Sequence, residues 1–498
     1  MKRSAGILLS ITSLPSKYGI GCFSKSAYEF VDWLKEAGQS YWQILPLGPT
    51  SYGDSPYQSF STYAGNPYFI SLEALIEEGV LHEEECDGID FGKDAASVDY
   101  KKIYEERFGL LRKAYERSNI TSDPKYCQFV EEQAWWLKDY ALFMAVKERF
   151  HGAAWTEWAE DIRLRYEYAM DYYRRELYFE IEFHQYLQYK FFSQWTQLKT
   201  YANCQGIQII GDIPIYVAMD SADTWAHPEL FQLDADNVPQ AVAGCPPDGF
   251  SATGQLWGNP LYKWEYHKQT GYDWWIGRLA FCFRLYDVVR IDHFRGFDEY
   301  YSIPYGAENA VEGHWENGPG MDLFYRMKEV LGERQVVAED LGYMTDRVRK
   351  LVEDSGFPNM KVLEFAFDAR DTGSASDYLP HNYPENCVAY TGTHDNETII
   401  GWLDCISKEE RQMVRAYLCD EKTAIKNLNW PLIALIMRSR ANLCVIPMQD
   451  YLGLDNRSRM NQPSTIGTNW KWRLTDEQLS GELQKKISQM ASRYGRIV

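Results

Sequence analysis

Short motifs for metals, disulfides and activated nucleophiles are missing from this chain. Its ten cysteines are scattered without a CxxC pair, so the sequence indicates neither a zinc site nor a disulfide framework, and free thiols are typical of a reducing cytoplasm. No HExxH metalloprotease motif and no GxSxG nucleophile elbow occurs. We therefore expect no metal and no cofactor.

Positive charge and long apolar runs are also scarce. The net charge is −20 at pH 7, whereas nucleic acid binding depends on clustered Lys and Arg, so we expect no nucleic acid partner. No apolar run approaches the length of a membrane span, and the basic start MKRSAGILLS leads into Ser13 without a signal-cleavage site. The composition favours a cytoplasmic enzyme with a neutral substrate and no membrane association.

Aromatic residues, in contrast, are abundant. Trp, Tyr and Phe together make up 15% of the chain, and several of them lie in Gly- and Pro-rich loops where no helix or strand needs them. Most aromatic residues are expected to serve a large core. Sugar rings stack their apolar C–H faces on aromatic faces, so loop aromatics beside carboxylates and amides indicate a carbohydrate-binding groove.

Short apolar runs alternate with helical patterns along the chain. Such runs predict parallel strands covered on both faces, and eight of them predict an α/β fold, a closed (β/α)8 TIM barrel. A doubly wound open sheet is disfavoured because the turn YGIGCFS lacks the third glycine of a nucleotide-binding fingerprint. Amphipathic helices are predicted over residues 26–38, 345–356 and 475–495. The eight runs cover residues 6–11, 41–47, 207–217, 288–292, 335–340, 361–365, 387–395 and 443–450.

Residues 1–498 are expected to form one catalytic barrel domain with two insertions. The stretch between the second and third runs is too long for one crossover, which predicts a mainly helical insertion subdomain over residues 68–200. Within it, aromatic and apolar residues recur every fourth position and predict the core-facing stripe of a helix. The stripe consists of Phe179, Phe183, Leu187, Phe191 and Trp195.

The second insertion, residues 231–275, is expected to be a loop or hairpin over the active site. Within it LDADNVPQ (233–240) resembles a calcium loop only at Asp234 and Asp236, so we interpret that segment as a hairpin. The following stretch, residues 243–260, contains three prolines and four glycines and predicts a long loop. Either it is an ordinary surface connection, or Phe250 and Trp257 close over a bound sugar and exclude water.

Charged residues follow the predicted strands at the ends where a barrel collects its catalytic groups. In VVRIDHFRGF (288–297), for example, Asp292 comes directly after an apolar strand. One charged strand end is commonplace, but five on one rim are costly unless they serve a common ligand. The five ends carry Asp212, Asp292 with His293, Glu339 with Asp340, His394 with Asp395, and Gln449 with Asp450. Without a metal or cofactor motif, paired carboxylates, histidines and loop aromatics favour glycoside chemistry.

Several long motifs also carry a resemblance to a known family. VRIDHFRG, VVAEDLG and GTHDNET, in that order, resemble the catalytic segments of the 4-α-glucanotransferases known as amylomaltases or disproportionating enzymes, which are relatives of the α-amylase clan. The likeness extends to PLGPTSYGDSPYQSFSTYAGNP (46–67), GDIPIYV (211–217), residues 241–260 and RMNQPSTIGTNWKWR (459–473), and so covers essentially the whole chain. Two positions depart from the family pattern: Ser464 stands where a glycine is expected, and Glu397 where Asp is frequent.

The resemblance implies roles for the three carboxylates. Asp292 would be the nucleophile, Glu339 the general acid/base, and Asp395 the third carboxylate that holds ring hydroxyls of the distorted sugar. Simple electrostatics agrees, because Arg290 beside Asp292 would keep it ionised, whereas Glu339 follows an apolar run that favours its protonated form.

Further residues are expected to contact the substrate or support those that do. His293 and His394 are expected to donate hydrogen bonds to sugar hydroxyls, with satisfied structural histidines as the alternative. Asp212 is expected to brace Arg290, and Asp340 is left out because it points to the other side of the strand. The remaining expected sugar contacts are Tyr57, Trp257 and Asn461.

The sequence therefore predicts a retaining 4-α-glucanotransferase with a covalent glycosyl-aspartate intermediate. Its expected partners are α-1,4-glucans, namely maltooligosaccharides, amylose, glycogen or starch, together with glucose as an acceptor. An α-glucan hydrolase with the same carboxylates remains an alternative, because the sequence does not measure how well water is excluded. A non-catalytic glycan-binding protein is disfavoured, because all three carboxylates are present.

Overall fold

The computed structural model describes residues 2–51, 53–247, 251–342, 344–369 and 375–497. Phe250, one of the two aromatic residues expected to face the sugar, lies outside these residues. The described strands are β1 (Ser4–Leu8), β2 (Tyr41–Gln43), β3 (Gln208–Pro214), β4 (Ala241–Cys245), β5 (Gln255–Pro260), β6 (Val288–Asp292), β7 (Glu299–Pro304), β8 (His314–Asn317), β9 (Val336–Ala338), β10 (Asn359–Val362), β11 (Cys387–Tyr390) and β12 (Leu443–Pro447).

Eight of these strands close into a parallel barrel, in the order β1-β12-β11-β10-β9-β6-β3-β2. This confirms the predicted (β/α)8 barrel, and each apolar run of the sequence supplies one barrel strand. Most barrel strands are shorter than their runs, because several runs continue into the loops that carry polar residues at the strand ends. The run 361–365 is shifted instead: β10 begins at Asn359, and a 3-10 helix (Leu363–Phe367) follows it.

Strand register brings the charged residues of three neighbouring strands to one level. Asp212 of β3 lies opposite Arg290 of β6, and Pro214 lies opposite Asp292. On the other side of β6, Ile291 pairs with Ala338 of β9. Asp292 and Glu339 directly follow these two residues, so they lie side by side at the carboxyl end of the sheet.

The helices surround the barrel and fill the first insertion. The predicted helix at residues 26–38 corresponds to α1 and that at 345–356 to α14, whereas the terminal helix begins later than predicted, where the Ser480 side chain accepts a hydrogen bond from the Leu483 amide. None of the described helices is long and apolar enough to cross a membrane. The helices are α1 (Lys25–Glu36), α2 (Leu72–Glu77), α3 (Glu83–Asp87), α4 (Tyr100–Arg117), α5 (Pro124–Glu132), α6 (Ala134–Arg149), α7 (Glu160–Arg163), α8 (Glu167–Glu176), α9 (Tyr178–Cys204), α10 (Ala222–Ala226), α11 (Trp264–Gln269), α12 (Asp273–Leu285), α13 (Met321–Leu331), α14 (Asp346–Ser355), α15 (Ile399–Cys405), α16 (Lys408–Leu418), α17 (Asn429–Arg438), α18 (Met448–Leu452) and α19 (Gly481–Arg493).

The long helix α9 carries the predicted apolar stripe. Four of its five members are buried in the main core: Phe183, Leu187, Phe191 and Trp195. The fifth, Phe179, is 69% exposed, so its assignment to the core is wrong. Phe179 lies in the first turn of α9, one turn before the stripe becomes buried.

A second, four-stranded sheet has the order β5-β4-β7-β8. It corrects the expectation of a long loop over residues 243–260, because β4 and β5 form an antiparallel pair there. The prolines and glycines of this stretch predicted a loop, but β4 also pairs with β7, and a partner that lies far away in the sequence gives no local signal. The hairpin expected at residues 233–240 is confirmed by an antiparallel bridge between Leu233 and Pro239, with Asn237 in a left-handed turn conformation.

Candidate active site

A buried ion network occupies the carboxyl ends of β3 and β6. One terminal nitrogen of Arg290, Nη1, donates to both carboxylate oxygens of Asp212 at 2.7 Å, and the other, Nη2, lies 3.0 Å from Oδ1 of Asp292. The side chains of Arg290 and Asp212 are 3% and 0% exposed, whereas that of Asp292 is 28% exposed. Asp212 thus braces Arg290, as expected, and leaves Asp292 as the member of the network that faces the cleft.

Tyr57 extends this network toward β11. Its hydroxyl donates to Oδ2 of Asp212 at 2.8 Å and lies 3.4 Å from Nδ1 of His394. The Tyr57 and His394 rings stack with their centroids 5.0 Å apart, and Trp470 packs 6.0 Å from each of them. Trp470 was not among the predicted site residues, although it lies within residues 459–473, one of the motifs that carry the family resemblance.

Glu339 is held next to Asp292 by the backbone. Its Oε2 accepts a hydrogen bond from the His293 amide at 2.7 Å, and its Oε1 accepts one from the Leu341 amide at 2.8 Å. His293 adopts a left-handed conformation, with φ of 53°, where the chain turns after β6. Asp340 instead accepts hydrogen bonds from Met360 and Asn359, so it faces β10 rather than the cleft, as expected.

The two neighbouring carboxyls have raised pKa values. Burial raises the pKa of Asp292 to about 6, and the positive charge of Arg290 opposes this rise without cancelling it. Burial, reinforced by repulsion from Asp292, raises the pKa of Glu339 to about 7. Arg290 therefore does not hold Asp292 at an ordinary carboxylate pKa, but the order of the two groups is the expected one, with Glu339 keeping its proton to higher pH.

The third carboxyl, Asp395, has a lowered pKa. Burial raises its pKa, but the charge of His394 and hydrogen bonds from His394 and Asn461 outweigh that effect and lower the pKa to about 2. The Asn461 amide nitrogen lies 2.6 Å from Oδ1 of Asp395, and Nε2 of His394 lies 3.3 Å from Oδ2. Burial lowers the pKa of His394, but the Asp395 carboxylate more than offsets this, so the pKa lies above its ordinary value. Asp395 is thus ionised at neutral pH.

His293 and Trp257 pack against each other beside Glu339. Their rings meet edge to face with centroids 4.9 Å apart, and Trp257 is partly exposed on β5. Burial, helped by repulsion from Arg295, lowers the pKa of His293 to about 3, so the ring is neutral at pH 7. Its Nε2 is buried and has no hydrogen-bond partner within the described part of the chain.

The side-chain amide of Asn461, another predicted sugar contact, is already engaged by Asp395. The same segment contains Arg459, which the sequence analysis also missed. Arg459 donates to the backbone carbonyls of Asp395 and Asn461 at 2.6 and 2.7 Å. An arginine that donates hydrogen bonds to backbone carbonyls has no recognisable sequence pattern, so its position two residues before Asn461 was the only hint.

The arrangement combines Asp292 beside a guanidinium, the neighbouring Glu339 in an environment that favours its protonated form, and Asp395, which is ionised throughout the neutral range. Such a set can attack an anomeric carbon, protonate a leaving oxygen and stabilise positive charge on a sugar ring. Among the residues that the structure describes, no group of three or more His, Cys, Asp or Glu side chains is arranged to hold a metal ion.

Comparisons with known proteins agree with one another over nearly the whole chain. A family model described as 4-alpha-glucanotransferase (Glyco_hydro_77) matches residues 9–479. The chain is 48% identical to the 4-alpha-glucanotransferase of Clostridium butyricum, over 98% of this chain and 100% of that protein. It is 46% identical to the 4-alpha-glucanotransferase of Thermus thermophilus, with both chains covered completely.

Among solved structures, the fold is similar to that of the amylomaltase from Streptococcus agalactiae in complex with acarbose. The TM-score is 0.96 at 43% sequence identity, and the match covers 99% of this chain and 100% of that chain. The amylomaltase from Corynebacterium glutamicum, with a TM-score of 0.75 at 19% identity, shares the fold.

Proposed function

The chain belongs to the 4-alpha-glucanotransferase family, and from this premise we propose that it transfers segments of α-1,4-glucan by a retaining double displacement through a covalent glycosyl-aspartate. The acceptor is the 4-hydroxyl of another glucan or of glucose. The observation that carries the proposal is the pair of adjacent carboxyls in different surroundings, Asp292 with the Arg290 guanidinium 3.0 Å away and Glu339 held by two backbone amides.

In the first step, the ionised Asp292 attacks the anomeric carbon of the donor. The glycosidic bond from that carbon to the leaving 4-oxygen breaks, and the proton of Glu339 passes to this oxygen. The backbone amides of His293 and Leu341 hold the Glu339 carboxyl beside the reacting bond.

In the second step, the acceptor's 4-hydroxyl attacks the same carbon. Glu339 takes the hydroxyl proton, the ester bond to Asp292 breaks, and the configuration at the carbon is retained. The number of glycosidic bonds is unchanged, because one is formed for each one broken.

The remaining residues of the site bind and shape the sugar. Asp395, ionised and 43% exposed, accepts hydrogen bonds from ring hydroxyls and favours the positively charged, flattened transition state. Nε2 of His293 donates to or accepts from a sugar hydroxyl, and Trp257 supplies an apolar face for ring stacking. The other substrate-binding residues are Arg290, His394, Tyr57, Asp212 and Asn461, of which Arg290 and Asp212 act mainly by holding Asp292 and Tyr57.

The substrates are α-1,4-linked glucose chains, from maltooligosaccharides to amylose, glycogen or starch. A neutral polymer fits an acidic protein whose site is built from carboxylates, imidazoles and aromatic rings. We place the enzyme in the cytoplasm, because all ten of its cysteines are free, which supports a reducing compartment.

The proposed function is tested by the products formed from maltotriose alone. A transferase is expected to yield glucose and a ladder of longer oligomers while the number of reducing ends stays nearly constant. A hydrolase would raise reducing ends steadily and form nothing longer than its substrate, and that result would overturn the transferase assignment. Asp292→Asn is expected to abolish both outcomes.

The retaining mechanism is tested separately by geometry. Direct attack by Asp292 requires its carboxyl to lie about 5 to 5.5 Å from that of Glu339 in a crystal structure, whereas inversion requires about 6.5 to 9.5 Å to leave room for a water molecule. A glucosyl group trapped on Asp292 and identified by peptide mass spectrometry would establish the intermediate directly.

A further inference from the structure

We propose that Arg459 is a positioning residue of the transfer reaction, which acts by holding the third carboxylate, Asp395, and its partner Asn461 at a fixed distance and angle. The inference rests on the proposed function, because it assumes that Asp395 acts on the sugar. Within the described part of the chain, Arg459 contacts none of the three carboxylate groups directly, so its role becomes visible only through its contacts with the backbone of Asp395 and Asn461.

Arg459 connects two separate segments of the chain. Its Nη2 donates to the backbone carbonyl of Asp395 at 2.6 Å, in the loop after β11, and its Nε donates to the carbonyl of Asn461 at 2.7 Å, in the segment after β12. Nη1 lies 3.5 Å from Oε1 of Glu397, also in the loop after β11. The side chain is only 19% exposed. One planar guanidinium group therefore contacts three residues in fixed directions.

The same two segments meet again on the side of the cleft. The Asn461 amide donates from its backbone to the His394 carbonyl at 3.0 Å, and its side chain donates to Oδ1 of Asp395 at 2.6 Å. Asp395 is thus held from its backbone by Arg459 and from its carboxylate by Asn461, and Asn461 is itself held by Arg459. If the guanidinium is lost, both ends of the Asp395–Asn461 contact lose a support.

The effect on catalysis should be selective. The Asp395 carboxylate is 43% exposed and is directed by two contacts, Asn461 at Oδ1 and His394 at Oδ2. Weakening the Asn461 contact leaves only the His394 side, so the carboxylate can rotate and its charge meets the sugar differently. Charge stabilisation matters most when the ring becomes positively charged in the transition state, and less in the substrate complex. Displacing Asp395 should therefore lower kcat more than it raises KM.

The first test is Arg459→Lys, which keeps the positive charge but cannot form the three-way fork. We expect kcat for transfer from maltotriose to fall about tenfold, with KM changed less than about twofold. The matched control is Arg457→Lys, because Arg457 lies two residues away, is 90% exposed and pairs only with Asp455 in the described structure. This control should change neither kcat nor KM, and equal losses of activity in both variants would overturn the proposal.

The second test shows whether Arg459 acts through Asp395. Acarbose is a suitable probe, because its unsaturated ring is flattened like the transition state. Arg459→Lys should weaken acarbose binding about tenfold in the otherwise unchanged enzyme but less than about twofold in an Asp395→Asn background, since coupled residues give non-additive effects. Equal weakening in both backgrounds would mean that Arg459 does not act through Asp395.

The outcomes separate this inference from the function on which it rests. If Asp395→Asn leaves transfer intact, the proposed role of Asp395 fails. If Asp395→Asn abolishes transfer and Arg459→Lys changes nothing, only the role of Arg459 fails. Should Arg459→Lys not fold, Glu397→Gln removes the carboxylate behind the guanidinium and is expected to lower kcat about two- to threefold at constant KM. An unchanged kcat in that variant would count against the proposal.

Discussion

At the scale of single residues, the surroundings of each carboxyl decide its protonation. Asp292 has a guanidinium 3.0 Å away, and Glu339 has two backbone amides, which stabilise its charge less than a cation does. Burial raises the pKa of both carboxyls; repulsion from Asp292 adds to the rise at Glu339, whereas at Asp292 the repulsion comes from Asp212 and Asp395. The guanidinium beside Asp292 favours its ionised form, which supports attack by Asp292 and proton transfer by Glu339.

The pH dependence of kcat/KM follows from this assignment. Asp292 must be ionised, so activity should fall as the pH drops through about 6, and Glu339 must be protonated, so activity should fall as the pH rises through about 7. We expect a narrow bell-shaped profile with a slightly acidic optimum, measured from pH 4.5 to 9 with maltotriose.

A control variant identifies the group behind the alkaline limb of this profile. With α-glucosyl fluoride as donor, the fluoride leaves without a proton, so Glu339→Gln should still form the glycosyl-enzyme. In that variant, single-turnover measurements should retain the acid limb and lose the alkaline one. Constant activity across the whole pH range would contradict the assignment of the two carboxyls.

Ser464 adopts a backbone conformation that is unfavourable for a residue with a side chain. Its φ of 63° lies in the left-handed region, where glycine is favoured, and the family resemblance led us to expect glycine at this position. Ser464→Gly should therefore stabilise the protein by about 0.5 to 1 kcal/mol and raise Tm by about 1 °C.

The matched control for this prediction is Ser458→Gly. Ser458 ends a short 3-10 helix (Asn456–Ser458) and is not among the residues with positive φ, so glycine there should destabilise the fold through chain entropy. Both variants are compared with the parent by thermal unfolding. Destabilisation by both substitutions would show that the Ser464 backbone is not strained.

At the scale of secondary-structure elements, the antiparallel pair β4–β5 holds Trp257 against the site. It is anchored to β7 on one side and carries Trp257 against His293 on the other. Because the hairpin is paired rather than a free loop, Trp257 is presented to the cleft by a defined strand, at little entropic cost when a sugar binds. Its stacking face is thus suited to holding an acceptor and limiting the entry of water.

Replacing Trp257 by Ala should shift the reaction toward hydrolysis. The acceptor loses its stacking surface and water gains access to the glycosyl-enzyme, so the fraction of cleavage events that end in hydrolysis should rise about three- to tenfold. That fraction is measured as new reducing ends per glycosidic bond cleaved. Leu256→Ala is the matched control, because Leu256 precedes Trp257 on the same strand and its side chain is 41% exposed. If both variants partition alike, Trp257 does not control the entry of water.

At the scale of the whole molecule, one large core joins the barrel to its first insertion. Helix α9 contributes Phe183, Phe191 and Trp195 to the same cluster as the barrel strands, and helices α2 to α5 of the insertion also belong to it. Helices α6, α7 and α8 instead pack in a second cluster around Phe143 and Trp155. We propose that residues 1–498 form a single catalytic domain, with residues 68–200 as a helical subdomain and residues 231–275 as an insertion over the site.

Exhaustive chelation should leave the activity of the whole enzyme intact. The segment that most resembles a calcium loop uses its acidic side chain for its own turn, since Oδ1 of Asp234 accepts hydrogen bonds from the Asp236 and Val238 amides. Activity is measured after dialysis against EDTA, with a calcium-dependent amylase treated in parallel to show that the metal was removed. Loss of activity that calcium restores would favour a metal-dependent amylase.

Some residues of the site are predictable from sequence and others are not. Asp292, Glu339 and Asp395 could be found from sequence because each follows an apolar strand, and parallel strands bring such ends to one rim. The roles of Trp470 and Arg459 could not, because they depend on contacts with Tyr57, His394 and the Asp395 carbonyl, which are distant in the chain. Likewise, the prolines and glycines of residues 243–260 predict a loop, because the pairing of β4 with β7 leaves no local signal in that stretch.

The sequence by itself determined the barrel and the residues at its rim, because hydrophobic runs and the polar residues that end them are local properties of the chain. Only the tertiary structure decided how those residues interact: that Asp212 braces Arg290, that Asn461 is bonded to Asp395, and that burial raises the pKa of Asp292 despite its arginine neighbour. The physical reason is that hydrogen bonds and pKa shifts depend on distances of a few ångströms and on the exclusion of solvent, and both arise only when segments far apart in the chain pack together.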